Sequence, residues 1–188
     1  MSAADEAEDS ALIDRALAGE DAAFTALVTR HKSWVFRFIC RYVGGQADAY
    51  DVLQETFFSA WLALSRYDRA RPFSVWLRSI ALNKCRDRAR REAVRRVIGS
   101  FLGEDETPEI PDPAPGPADE VEAGEDLHRL EHALQLLPRQ LKEPLLLTAL
   151  EGLSQKEAGE LLGINAKAVE MRVYRARARL RALLGDPA

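Results

Sequence analysis

The sequence predicts an all-α fold: two small helical domains joined by a flexible acidic linker. Three observations carry that reading. Apolar residues recur at three- and four-residue steps in several segments, and no stretch alternates in the manner of a strand. Residues 97–127 hold no Lys or Arg, ten acids and five of the nine prolines, which divides the chain. Beyond that block, Ser154-Gln155-Lys156-Glu157 followed by Gly163-Ile164-Asn165 spells a capped helix, a turn and a second helix.

Composition bounds the function. With 188 residues, 47% hydrophobic and 30% charged, the chain can build a core. The net charge of −4 hides a partition: −5 over residues 1–65, +8 over 66–96, −10 over 97–127 and +3 over 128–188. A strongly basic block beside an acidic one points to a nucleic-acid partner. The longest apolar run, Ala60–Leu64, has five residues, whereas a bilayer span needs about 20. Asp5, Glu6, Glu8 and Asp9 exclude a secretory signal near Met1. No membrane insertion and a cytoplasmic location are therefore expected. Cys40 and Cys85 read as reduced thiols packed as small hydrophobes. No Gly-rich phosphate loop or nucleophile–base motif is present, and His128 and His132 lack a third metal ligand. The expectation is no enzyme, no cofactor, no metal and no small-molecule substrate.

The elements follow in order. Residues 1–9 read as a disordered N-terminus and 10–96 as the first domain. Phe24, Leu27, Val28, His31, Val35, Phe38 and Tyr42 form one helical stripe that ends at Gly44-Gly45. His31 lies on that stripe as a core or edge residue, with no second metal ligand in view. The next helix, about 46–64, is expected to bury Tyr50, Leu53, Phe57, Trp61 and Leu64. Its opposite stripe, Asp51, Gln54, Glu55, Phe58 and Leu62, pairs acids with exposed apolar residues, as a docking site for a basic helix would. Arg71-Pro72 opens the third helix, since proline suits a first turn. Phe73, Trp76, Leu77, Ile80 and Ala81 face its core, and Ser79, Asn83, Arg86 and Arg90 line the other face. The preceding loop, Ser65–Arg71, is arginine-rich and holds Tyr67. Such a loop beside a basic helix can grip phosphates and stack an unpaired base.

Residues 97–126 are the expected linker and 127–185 the second domain. Pro144 is expected to kink or delay the helix over 139–150. The capped helix runs to Leu162, and the long helix begins near Ala166. Leu162, Ile164 and Val169 fill the corner, with Val173, Ala176, Leu180 and Leu184 continuing the buried side. Arg172, Arg175 and Arg179 form a basic stripe on the second helix, which makes this a DNA-binding helix-turn-helix pattern.

Asp51-Val52-Leu53-Gln54-Glu55-Thr56-Phe57 resembles the acidic D-x-x-Q-E-x-F signature of extracytoplasmic-function sigma factors. Phe73-Ser74-Val75-Trp76-Leu77 with Ile80-Ala81-Leu82-Asn83 resembles that family's F-x-x-W-L-x-x-I-A-x-N helix, and the chain ends in a similar helix-turn-helix. The resemblance implies a sigma region 2 bundle over 10–96 and a region 4 helix-turn-helix over 127–185. It implies a partner in core RNA polymerase, with the β′ clamp helices meeting Asp51, Gln54, Glu55, Phe58 and Leu62, and with contacts to the β flap. Promoter DNA is the second implied partner. Its minus-ten element would meet Arg66, Tyr67, Arg69, Arg71, Trp76, Ser79, Asn83, Arg86 and Arg90. The minus-thirty-five element would meet Lys167, Glu170, Met171, Arg172, Tyr174, Arg175 and Arg179. An anti-sigma factor is the implied regulator, and the acidic linker is expected to occupy the polymerase's RNA-exit path. Two departures stand out. Glu170 replaces a basic residue common in the family and would repel phosphates, and Gly159 replaces alanine and would loosen its helix. A conventional repressor would leave the Asp51–Leu62 stripe and the 66–96 block unexplained. A decoy that only sequesters an anti-sigma factor would have no use for the arginines in both DNA-facing helices.

Overall fold

The computed structural model describes residues 3–102 and 118–185, and its chain folds into two compact units, one of residues 1–40 and 46–104 and the other of residues 41–45 and 105–188, so that the last turn of the second helix belongs to the second unit. The first carries α1 (Ala3–Leu17), α2 (Asp21–Val43), α3 (Gln46–Ala63), a 3-10 turn (Leu64–Arg66) and α4 (Phe73–Leu102). The second carries α5 (Ala118–Gln135), α6 (Arg139–Leu145), a π turn (Leu146–Leu150), α7 (Gln155–Leu162) and α8 (Ala166–Leu184). No strand occurs among the described residues. Residues 103–117, the middle of the expected linker, lie outside them. Its ends do not: 97–102 continue α4 and 118–126 open α5.

The N-terminus corrects an expectation, because residues 3–9 are helical rather than disordered. The acids that read as a solvated run have partners on α2. Arg30 donates to Asp5 at 2.7 Å and to Glu8 at 2.6 Å. Asp9 and His31 are each only 1% exposed. Trp34 Nε1 donates to His31 Nδ1 at 3.0 Å, which leaves the proton on Nε2, 3.0 Å from Asp9 Oδ2. The imidazole thus pairs with Asp9 Oδ2 while Arg30 Nε stands 3.0 Å from Oδ1, and Ile13 and Ala16 anchor the same helix in the core.

Leu27, Val35, Phe38 and Ile39 of α2 and Leu77, Ala81, Leu82 and Cys85 of α4 are all buried in the core. On α3 the buried set is Ala49, Val52, Thr56, Phe57 and Ala60; of the expected stripe Phe57 and, just past the helix, Leu64 are buried, Leu53 is half-buried, and Tyr50 and Trp61 are not buried. Tyr50 is 55% exposed and Trp61 38%. Their rings lie on the flank, Tyr50 against Phe36 (4.6 Å between centroids) and Trp61 edge-on to Phe24 (4.8 Å). Ala49, Thr56 and Ala60 share the inner positions with Val52 and Phe57, so the buried face of α3 is rotated away from Tyr50 and Trp61.

In the second unit α6 starts on time at Arg139 and tolerates Pro144, so the expected delay is absent. The irregularity follows it. Glu151 N donates to the Leu146 carbonyl at 3.1 Å, a five-residue step that widens the helix into the π turn. The helix-turn-helix keeps its expected boundaries. Ser154 and Glu157 form both halves of the capping box, and Gly163 takes φ 69°, the left-handed conformation that ends α7. Val169 and Ala176 are fully buried, while Leu162, Ile164, Val173, Leu180 and Leu184 are half-buried.

Gly159 overturns a second expectation. A Cβ placed there would stand 2.6 Å from the Ile164 carbonyl oxygen. The turn also hydrogen-bonds to Gly159 itself, Ile164 N donating to its carbonyl at 3.0 Å. Gly159→Ala is therefore expected to lower the unfolding midpoint, although helix propensity alone would favour alanine by about 1 kcal/mol. Overpacking against backbone costs about 1–3 kcal/mol. Urea titration of both proteins checks this, and a more stable variant would contradict it.

Candidate polymerase and nucleic-acid interfaces

Three surfaces collect the residues singled out in the sequence. The first is the outer face of α3. Asp51 and Gln54 are exposed, Phe58 is 64% exposed and Leu62 63%. Glu55 is half-buried because Arg91 of α4 reaches across, placing Nη2 3.1 Å from each carboxylate oxygen. One helical turn earlier, Arg88 pairs with Asp48 and with Glu92, and these hydrogen bonds hold its guanidinium even more firmly protonated. Sequence reasoning missed Arg91, which lies 36 positions from Glu55, and placed Trp61 in the core. The half-exposed Trp61 ring instead extends the apolar end of this face.

The second surface is the loop before α4. Tyr67 packs against Phe73 (5.7 Å) and Trp76 (5.1 Å) and donates its hydroxyl to the Arg71 carbonyl. Burial, followed by the negative charge of Asp9, raises the Tyr67 pKa. Ala70 N donates to Asp68 Oδ1 at 3.0 Å, so the loop is internally braced. Arg66 and Arg71 are exposed. Arg69 is held by Asp14 of α1, and that hydrogen bond keeps the Asp14 carboxyl below its ordinary pKa. Along α4, Ser79 donates to the Trp76 carbonyl at 2.6 Å and Arg86 donates to Asn83 Oδ1 at 3.3 Å. Arg90 stays exposed, 3.6 Å from Asp87. Trp76 is half-buried, so its ring braces Tyr67 as well as bordering the surface.

The third surface is the outer side of α8, whose first turn is capped by Asn165 Oδ1 accepting from Ala168 N at 2.8 Å. Lys167, Glu170, Met171, Tyr174, Arg175 and Arg179 are exposed and Arg172 is half-buried. Glu170 does not stand as a bare anion: Lys167 Nζ lies 2.9 and 3.0 Å from its two oxygens. The expected repulsion of phosphates is thus offset within the helix. Glu170, Tyr174, Arg177 and Arg181 recur at helical spacing and line an open groove of about 540 Å³ with Gln155 and Thr148. Sequence reasoning missed Arg177 and Arg181, which lie on the stripe beside Arg172, Arg175 and Arg179; their signal is the i, i+4, i+7, i+11 spacing from Glu170.

Among the described residues no group of His, Cys, Asp and Glu could hold a metal ion, and no helix is long and apolar enough to cross a membrane. The family model for Sigma-70 region 2 matches residues 27–95, and that for Sigma-70, region 4, matches residues 127–180. The chain belongs to the sigma-70 family. It is similar to the RNA polymerase sigma factor NccH of Alcaligenes xylosoxydans xylosoxydans, 40% identical over 96% of each chain. The sigma factor CnrH of Cupriavidus metallidurans is also 40% identical, over 94% of each. ECF RNA polymerase sigma factor ShbA of Streptomyces griseus subsp. griseus is 33% identical over 92% of this chain and 93% of its own. The solved structure of CnrH in complex with the cytosolic domain of CnrY superposes with a TM-score of 0.68 at 35% identity, covering 94% of this chain and 97% of that one. The chain is thus an ECF-type sigma factor, a transcription initiation factor rather than an enzyme, and α1 lies ahead of the matched region 2 segment.

Proposed function

We propose that this sigma factor binds bacterial core RNA polymerase through the outer face of α3 and directs it to promoters read by α8 and melted at the loop before α4. The observation that carries the reading is the exposure of Phe58 and Leu62 beside Asp51 and Glu55. A folded monomer gains nothing from two large apolar side chains in water, whereas a basic amphipathic helix on polymerase, such as the β′ clamp helices, would cover both. Trp61 adds an aromatic anchor of the kind that dominates binding energy at interfaces. On DNA, Arg172 and Arg175 enter a major groove at the minus-thirty-five element, and Arg66, Arg71, Asn83 and Arg86 hold the separated minus-ten strand. An anti-sigma factor controls access to these faces. The match to CnrH, solved in complex with the cytosolic domain of CnrY, supports that last point.

Binding of the reconstituted holoenzyme to duplex promoter fragments tests the reading. Arg175→Ala is expected to cost about 1–3 kcal/mol if the side chain reads a base and to relax preference at one position. If it contacts a phosphate, affinity falls alike on all sequences and the salt slope drops by about one. Tight binding by the chain alone to closed palindromic duplex, unaffected by polymerase, would overturn the proposal.

A further inference from the structure

Two arginines of α4 reach the acidic side of α3, and they are held differently. Arg88 is 19% exposed and engages two carboxylates, Asp48 and Glu92. Withdrawing it would strand a mostly covered guanidinium, so Arg88 is fixed. Arg91, the next turn along, is 54% exposed, and its partner Glu55 is itself 39% exposed. Nη2 alone serves both carboxylate oxygens, at 3.1 Å each, in place of the two-nitrogen fork of a strong bidentate pair. Two exposed partners joined in this way exchange at small cost.

The pair also stands at a seam. Glu55 lies between Asp51 and Phe58 on the face proposed to dock on polymerase. Arg91 lies beside the exposed Arg90, which belongs to the stripe of α4 proposed to meet DNA, and one turn before the exposed Arg95. A basic helix that takes over Glu55 leaves Arg91 next to a second cation. The guanidinium then gains by turning to an anionic phosphate of bound DNA.

We propose that Glu55 and Arg91 are an exchangeable pair linking the two interfaces: docking on core polymerase takes the Glu55 carboxylate and releases Arg91 to a backbone phosphate of promoter DNA. In the free chain Glu55 restrains Arg91, and Arg91 in turn competes with polymerase for Glu55. The link is reciprocal, so DNA strengthens polymerase binding through this pair as much as polymerase strengthens DNA binding. The inference rests on docking through α3, as proposed above, and adds to it a phosphate-contacting residue outside the stripes expected to meet DNA.

The test measures binding of the fluorescently labelled full-length chain to bacterial core RNA polymerase, with and without saturating fork-junction DNA. Arg91→Gln removes the cation and keeps a polar, helix-forming side chain at an exposed position. Without DNA the variant is expected to bind about threefold more tightly than wild type, since no internal partner competes for Glu55. Threefold is the scale of an exposed ion pair. With DNA the order is expected to reverse, because only wild type gains the phosphate contact. Holoenzyme carrying the variant should also show a salt slope on that DNA lower by about one.

Weaker binding of the variant in both conditions would make Arg91 a polymerase contact, and equal binding in both would make the pair inert; either result overturns the proposal. Tightening by the same factor in both conditions, with an unchanged salt slope, would overturn the transfer to DNA. Glu55→Arg separates this inference from the reading beneath it. If that variant binds core polymerase like wild type, docking through α3 fails and the exchange with it. If it binds weakly while Arg91→Gln shows neither effect, the exchange alone fails.

Discussion

Glu55→Arg is expected to weaken binding to core RNA polymerase by about thirtyfold, close to 2 kcal/mol. Glu55 sits between Asp51 and Phe58 on the exposed side of α3, and its intramolecular partner Arg91 is itself 54% exposed. An exposed pair of this kind contributes only about 0–1 kcal/mol to folding, so a basic partner helix can take over the carboxylate at small cost. The reversed charge would repel both that helix and Arg91. Arginine is a good helix former, and the variant's folding stability should stay within about 1 kcal/mol of wild type. Titration of fluorescently labelled protein with core polymerase measures the change. An affinity within twofold of wild type, with folding intact, would remove α3 from the docking surface.

Leu77→Ala is expected to have the largest effect on stability. Leu77 is fully buried on α4. Truncating a leucine in such a site costs about 2–5 kcal/mol in lost burial and residual cavity. For a domain of this size each kilocalorie lowers the midpoint by roughly 4–8 °C. Phe58→Ala provides the contrast: its ring is 64% exposed, and its removal should leave the melting curve unchanged while weakening polymerase binding. Calorimetry of the two variants separates folding from docking. Equal destabilisation by both would show that Phe58 serves the core.

How much of this was legible in the sequence depends on the range of the interaction. The end of α2, the start of α4 and the helix-turn-helix boundaries follow from local signals: apolar period, Pro72, Gly44 and Gly163, and the Ser154–Glu157 box, whereas the extension of α4 through 97–102 does not. The phase of α3 does not. Size suggested that Tyr50 and Trp61 go inside, but the inner positions fall to Ala49, Val52, Thr56, Phe57 and Ala60. The N-terminal helix was hidden for a related reason. Asp5, Glu8 and Asp9 look like a solvated acidic tail until Arg30 and His31, more than twenty residues away, are placed beside them. The exposed acidic and apolar face of α3 and the basic face of α8 were legible because such stripes keep helical spacing. The pairs Glu55–Arg91 and Arg69–Asp14 were not, since the first joins two helices and the second a loop and a helix distant in sequence.

The most direct measurement is promoter-directed transcription by bacterial core polymerase on genomic fragments of the source organism, with wild-type protein, with Glu55→Arg and without either. Discrete start sites that require the wild-type chain and fade with Glu55→Arg are the expected result. Absence of such transcripts, from a core polymerase that initiates normally with another sigma factor, would contradict the assignment of this chain as a promoter-directing subunit docked through α3.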